Sequence, residues 1–259
     1  MPKLIHETAL VSPDASLADD VEVLPYSVIA GNVVIGSGTV VGPHAVVHDN
    51  VRIGCNNHIH AQAVIGDLPQ DVTFVGEDTW VEIGDDNLIR ECVTIHRSTN
   101  PEQPTRVGSG CFLMALCHIG HDCQVGDNVI LTGYVGLAGH VVAEAGCVLG
   151  GGALIHQFTR VGTLAMIAGG TPVRKDVLPY SLLGGHPVRH RGPNSVGLRR
   201  AGIRGERYRA VKDALQALRS GDSVDAVPDT PEVAHLKGWL AAKSKRGVYG
   251  FGAESNFEL

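Results

Sequence analysis

Four side chains with chemical potential crowd into seven residues of the stretch "LCHIGHDCQVG", residues 116–126: Cys117, His118, His121 and Cys123. Two thiols and two imidazoles at this density are the donor types that hold zinc. Imidazole is equally the natural general base near neutral pH. Choosing between these chemistries requires knowing which side chains share a face, and so which elements carry them.

The surrounding chain repeats every six residues. Stepping by six from Ile5 to Val173 meets Ile, Leu or Val at 25 of 29 positions; the exceptions are Asp71, Glu77, Pro101 and Ala143. The next residue is often glycine, as at Gly36, Gly42, Gly54 and Gly120. Two residues before each aliphatic position runs a second register of small or β-branched residues, among them Ala45, Val51, Cys117, Cys123, Val129 and Cys147. Side chains two apart on a strand face the same way. Each six-residue unit therefore points one aliphatic and one small residue inward. Neither a 3.6 period nor a heptad fits. The pattern predicts an all-β solenoid over residues 1–190, a parallel β-helix with three hexapeptides, or eighteen residues, per triangular coil. The period fails at 67–79, "DLPQDVTFVGEDT", and at 97–106, "RSTNPEQPTR". Long excursions from a regular scaffold commonly carry function.

This frame answers the opening choice. Cys117 and Cys123 fall in the small inward register and serve as small hydrophobes. His118 lies between inward neighbours and points outward; His121 sits at a corner. A zinc ion bound by all four would have to join inward and outward groups through a strand, so the metal reading fails on geometry. From 107 to 173 the register is unbroken, and columns can be counted by eighteen. Position 121 then stacks with 139 and 157, beside which stand His140 and His156. The count predicts three histidines within one residue of a single outer column.

The 44% apolar and 19% charged composition is that of a soluble globular protein. The net charge of -6 hides an asymmetry. Residues 1–173 carry 6 Lys and Arg against 18 Asp and Glu, whereas residues 174–259 carry 15 against 9. In the tail the six-period gives way to helical spacing at Leu198, Ile203, Tyr208, Val211, Leu215 and Leu218. A further helix is expected near 230–244, with Pro231 early in it. The expected second domain is thus a small α-helical one over 191–259. Its basic stretch favours an anionic partner, a nucleotide diphosphate or an acidic carrier protein. Nucleic acid is disfavoured by the overall acidity and 5% aromatic content. "IGSG" and "GGGA" lack the strand–loop–helix context of a phosphate loop. The start, "MPKLIHETAL", has no signal-peptide pattern, and no apolar run approaches a transmembrane span. Six cysteines in that setting imply reduced thiols and a cytoplasmic location.

Four segments in this order, "VEIGDDNLIRECVTIHRST", "LMALCHIGHDCQVGDNVIL", "LAGHV" and "GGALIHQF", resemble the bacterial UDP-N-acetylglucosamine O-acyltransferases. The resemblance covers nearly the whole chain. It implies a left-handed β-helix, a homotrimer with sites between subunits, and no metal or other cofactor. The implied reaction moves a 3-hydroxyacyl chain from acyl carrier protein to the 3-position of UDP-N-acetylglucosamine, opening lipid A biosynthesis. His121 matches the general base, Asp122 a group that orients it, and the Gly139 N–H the donor to the tetrahedral oxyanion. His140, His156 and Gln157 match sugar or phosphate contacts, and His118 matches another substrate-site residue. Asp71 matches a sugar-binding residue reaching from an adjacent subunit. Asn194, Arg199 and Arg200 match the nucleotide-sugar side, and Gly169 the position that limits acyl length.

Three positions depart from the pattern. Thr73 replaces a frequent Lys, Val196 a frequent Glu, and Ala201 interrupts a basic run. All three concern the acceptor, which leaves a 3-amino analogue or another nucleotide sugar open. Two unlike readings compete with acyl transfer: a β-helix carbonic anhydrase with zinc on interfacial histidines, and a non-catalytic scaffold.

Overall fold

The structure, a computed structural model, describes residues 4–252. It is a parallel β-helix of very short strands, stacked into three sheets of 11, 9 and 8 strands. Uninterrupted coils pair residues eighteen apart: Leu4 with Glu22, His118 with Gly136, Val148 with Met166. The inward aliphatic register forms one continuous core; Ile59, Ile89, Leu113, Ile119, Leu131 and Leu149 are almost wholly buried. Burial of each such side chain is worth about 1.5–3 kcal/mol before ordering costs. Cys117 and Cys123 lie in this core, and burial pushes their thiols up to about 11 and about 12.

From Tyr26 onward most corners turn through a left-handed residue, and these recur every six positions, as at Leu116, Asp122, Asn128, Tyr134 and His140. The glycine after the aliphatic position answers a second constraint. At Gly120 a Cβ would stand 2.8 Å from the Leu137 carbonyl oxygen of the next coil.

The two excursions are whole repeats in length. Val64 pairs with Thr94, thirty residues on, so the first adds twelve residues to a coil; Val81 pairs with Thr105, twenty-four on, so the second adds six. Because both lengths are multiples of six, the inward register keeps its phase across them. Their edges differ slightly from the sequence expectation: Asp67 closes the strand Val64–Asp67, and Thr105 and Arg106 already belong to the strand Thr105–Val107.

The predicted boundary at 190 falls inside a strand. Ser181–Gly184 pairs parallel to Met166–Ile167 and then antiparallel to Arg189–Pro193, so a hairpin closes the prism before the helices begin. Helices α1 (Ser195–Arg200), α2 (Gly205–Ser220) and α3 (Pro231–Ala241) follow. Thr230 caps α3, with Pro231 in its first turn, as the sequence implied. The six apolar positions expected from helical spacing all join a second core with Val233, Leu236 and Trp239. Arg160 ties this core to the prism: it pairs with buried Asp176 at 2.8 Å and stacks 4.1 Å over the Trp239 ring. Beyond α3 the chain returns to the prism, where Val248 bridges to Asp176 and Phe251 to His190. The last seven residues of the expected helical domain lie outside the described residues. Among the described residues no helix is long and apolar enough to cross a membrane.

Candidate active site

One corner of the prism gathers the titratable groups. Pairing of His118 with Gly136, and of Gly136 with Leu154, puts His121, Gly139 and Gln157 in one column, each followed by a left-handed residue: Asp122, His140 and Phe158. Positive φ is the rule at most corners here, so it does not by itself mark these three.

His121 Nδ1 lies 2.7 Å from Asp122 Oδ2, and both side chains are about nine-tenths buried. A carboxylate only accepts, so Nδ1 carries the proton and the Nε2 lone pair points away. Asp122 is in turn held by the second excursion. It accepts from the Thr99 amide (3.0 Å), the Thr99 hydroxyl (2.8 Å) and the Asn100 amide (3.3 Å). The inserted residues thus orient the group that orients His121. On its far side the His121 ring lies directly over Gly139, where a Cβ would collide with Nε2. No acceptor among the described residues takes the Gly139 N–H.

His140 stands edge-on to His121, ring centroids 5.2 Å apart, and stacks on Phe158 at 4.5 Å. Its Nε2 is 3.6 Å from Asp122 Oδ2. Burial lowers the His140 pKa; Asp122 opposes that shift, while His121 and Lys245 add to it. His118 donates to or accepts from the Thr94 hydroxyl at 2.8 Å, and burial, then His96 and His121, lower its pKa. His118, His121, Gly139, Leu154 and Gln157 line a groove of about 390 Å³.

Asp71 joins the site differently from its expected role. The first excursion folds back within its own chain and sets Asp71 Oδ2 4.0 Å from His121 Nε2, so no adjacent subunit is needed to bring it there. Bonds from the Thr73 amide (2.8 Å) and hydroxyl (2.7 Å) hold its carboxyl below the usual range. The departure at Thr73 is therefore part of how this chain fixes Asp71.

The remaining expected residues lie elsewhere. His156 is exposed and makes neither a ring contact nor a hydrogen bond with His121 or His140, so the predicted trio is a packed pair with a third imidazole at the rim. Asn194 serves as the N-cap of α1: its Oδ1 accepts from Gly197 N at 3.0 Å and its Nδ2 donates to Leu164 O at 2.9 Å. Leu164 stacks through Gly146 on Asn128, at a second corner. Arg199 and Arg200 are exposed on α1, and Arg199 borders a separate cavity of about 410 Å³. Gly169 stands over Gly151 at the third corner. Within one chain the implied site residues thus occupy three different edges.

Several site groups were missed. Phe158 could have been found by one more step of eighteen from His140. Thr99, Lys245 and Arg246 lie outside the periodic register, where nothing in the spacing points to the corner. The ligand atoms of His121, Asp122 and His140 fall within 4.8 Å of one another, a spacing at which a cation could bind. His121 Nδ1 and Asp122 Oδ2 are already engaged with each other in a direct hydrogen bond.

Comparison with known proteins agrees with this architecture. Residues 14–49 and 104–139 match the bacterial transferase hexapeptide model (six repeats), which defines the class as a hexapeptide-repeat transferase. Residues 176–249 match the second domain of UDP N-acetylglucosamine O-acyltransferase. The acyl-[acyl-carrier-protein]–UDP-N-acetylglucosamine O-acyltransferase of Syntrophobacter fumaroxidans is 43% identical over 94% of this chain and 98% of its own. That of Thiobacillus denitrificans is 41% identical over the same shares. The UDP-N-acetylglucosamine acyltransferase structure from Bacteroides fragilis superposes with a TM-score of 0.91 at 36% identity, covering 95% of this chain and 99% of that one. The Acinetobacter baumannii structure gives 0.88 at 38%, with the same coverage. The chain belongs to the UDP-N-acetylglucosamine O-acyltransferase family.

Proposed function

We propose that this protein transfers a 3-hydroxyacyl group from acyl carrier protein to the 3-hydroxyl of UDP-N-acetylglucosamine, the first step of lipid A biosynthesis. The observation that carries the reading is the His121–Asp122 pair, whose free Nε2 faces a groove beside an unengaged backbone N–H. His121 Nε2 takes the proton of the sugar 3-hydroxyl as that oxygen attacks the thioester carbonyl. The Gly139 N–H donates to the oxyanion of the tetrahedral intermediate. Collapse of the intermediate breaks the C–S bond, forms the ester and releases the carrier's thiolate, which takes the proton back from His121. Asp122 stabilises the imidazolium formed in between.

Placement on separate edges supports a shared site. Asn194 sits beside a second corner and Gly169 at a third, so a second copy is the proposed source of these groups at the His121 corner. A homotrimer with three interfacial sites is the assembly we propose on that ground. Gly169, without a side chain, leaves room for a long acyl tail.

The test is turnover of a panel of UDP-sugars, including a 3-amino analogue, with 3-hydroxyacyl carrier proteins of different lengths, read by mass spectrometry. Acylated UDP-N-acetylglucosamine is expected, with activity unaffected by a chelator. His121→Ala should lower kcat/KM by roughly 10³-fold while the oligomer stays folded by circular dichroism and size. Product only with the amino analogue would move the acceptor; loss of activity on chelation would favour the zinc reading.

A further inference from the structure

The column that starts at His121 does not end at Phe158. The chain leaving α3 passes back over this corner, and Lys245 Nζ lies 4.4 Å from the Phe158 ring centroid, with the Arg246 guanidinium at 5.8 Å. Arg246 Nε also donates to the Gln157 carbonyl at 2.9 Å. His121, His140, Phe158 and Lys245 therefore form a continuous file from the imidazole pair to a cation.

The segment holding these cations is anchored. Tyr249 accepts from the Arg174 amide at 2.8 Å and Val248 bridges to Asp176. No carboxylate among the described residues lies within ion-pair distance of Lys245 or Arg246. The Lys245 charge reaches the site, since it is one of the groups lowering the His140 pKa. Two positioned cations without a carboxylate partner, set over an aromatic face at the rim of a groove, form a site for an anion.

Distance along the column identifies which anion. Phe158 stands two coils beyond Asp122, roughly 10 Å. An acceptor whose 3-hydroxyl meets His121 Nε2 spans one coil with its sugar ring and extends its diphosphate over the next. We infer that Lys245 and Arg246 form a phosphate subsite for the diphosphate of the nucleotide-sugar acceptor, with Arg246 also holding the Gln157 corner in place. This assignment rests on the acceptor proposed above.

The test combines kinetics with direct binding. In the full-length protein, Lys245→Ala should raise KM for UDP-N-acetylglucosamine roughly tenfold, with kcat within about twofold and KM for acyl carrier protein unchanged. By calorimetry the same variant should weaken UDP binding by a similar factor while leaving uridine, which lacks phosphate, unaffected. Lys245→Arg should restore most of both. If wild-type protein turns over the acceptor and binds UDP but Lys245→Ala changes neither, the subsite is overturned and the acyltransfer reading stands. A rise in KM for acyl carrier protein alone would assign the cations to the carrier's phosphodiester and overturn the proposal. Wild-type protein that neither acylates nor binds UDP would remove the acceptor itself.

Discussion

Two corners of the same prism obey one backbone rule and use it oppositely. Along the first, the left-handed residues run Asn56, Asp86, Gly110, Asn128, Gly146 and Leu164, all but the last types that enter that region at low cost. Three successive outward N–H groups there are closed by side chains of the next coil: Cys55 donates to Asp85 Oδ1 at 2.6 Å, Asp85 to Ser109 Oγ at 2.9 Å, Ser109 to Asp127 Oδ1 at 2.8 Å. Along the second, the left-handed residues are Asp122, His140 and Phe158, and the His121 and Gly139 N–H groups meet no acceptor among the described residues. At Cys55, Asp85 and Ser109 the first corner uses its donors to join coils. The second leaves the His121 and Gly139 donors open to a groove. Scaffold and site share one fold; what sets the site apart is the imidazole–carboxylate pair beside its open donors.

The largest effect that sharpens this contrast is expected at Asp122. Asp122→Asn keeps the volume and several bonds to the Thr99–Asn100 loop, but offers His121 Nδ1 an amide in place of a carboxylate. The wrong tautomer becomes accessible, and the imidazolium loses its counter-charge. A loss of roughly 10³-fold in kcat is expected, with KM for the acceptor little changed. A loss confined to KM would mean that Asp122 binds substrate rather than setting His121.

Legibility followed the same division. The inward register was readable because both excursions add multiples of six, so the count passed through Asp71, Glu77 and Pro101 and met Ile83 and Val107 still in phase. Burial of Cys117 and Cys123 and the column through His121 and Gly139 follow from that register alone. What the excursions do was not readable. Thr99 reaches Asp122, and Asp71 reaches His121 of its own chain, through loops whose path no period constrains. The column count also specifies a corner without specifying a direction, which is why His156 sits at the rim while His140 packs against His121. Asn194 shows a further limit: one side chain caps a helix and faces a second corner at once, and spacing reports neither.

A second histidine tests the contrast between open and closed donors. His190 is fully buried, and both ring nitrogens are engaged: Nε2 accepts the Leu178 N–H at 3.0 Å, and Nδ1 donates to the Tyr249 carbonyl at 3.0 Å. Burial pushes its pKa down to about 4. Below the ordinary value near 6.5 the unfolded chain binds a proton that the folded chain refuses. Stability is therefore full at neutral pH, falls as pH drops below about 6.5, and has lost this contribution by about pH 4. The shift corresponds to about 3 kcal/mol. Urea unfolding of wild type and His190→Gln across this range should show a gap that narrows as pH falls; a constant gap would mean that His190 does not titrate with folding.

The smallest effect is the one that could break the comparison of corners. Asp127→Ala removes the acceptor for the Ser109 N–H, leaving a donor at a corner where water can replace it. A cost of about 1 kcal/mol in stability is expected, visible as a lower urea midpoint at unchanged slope. Because Asp127 belongs to the closed corner, kcat and both KM values should stay within about twofold of wild type. Loss of activity at wild-type stability would show that the closed corner also meets substrate, and that saturation of backbone donors does not separate scaffold from site in this prism.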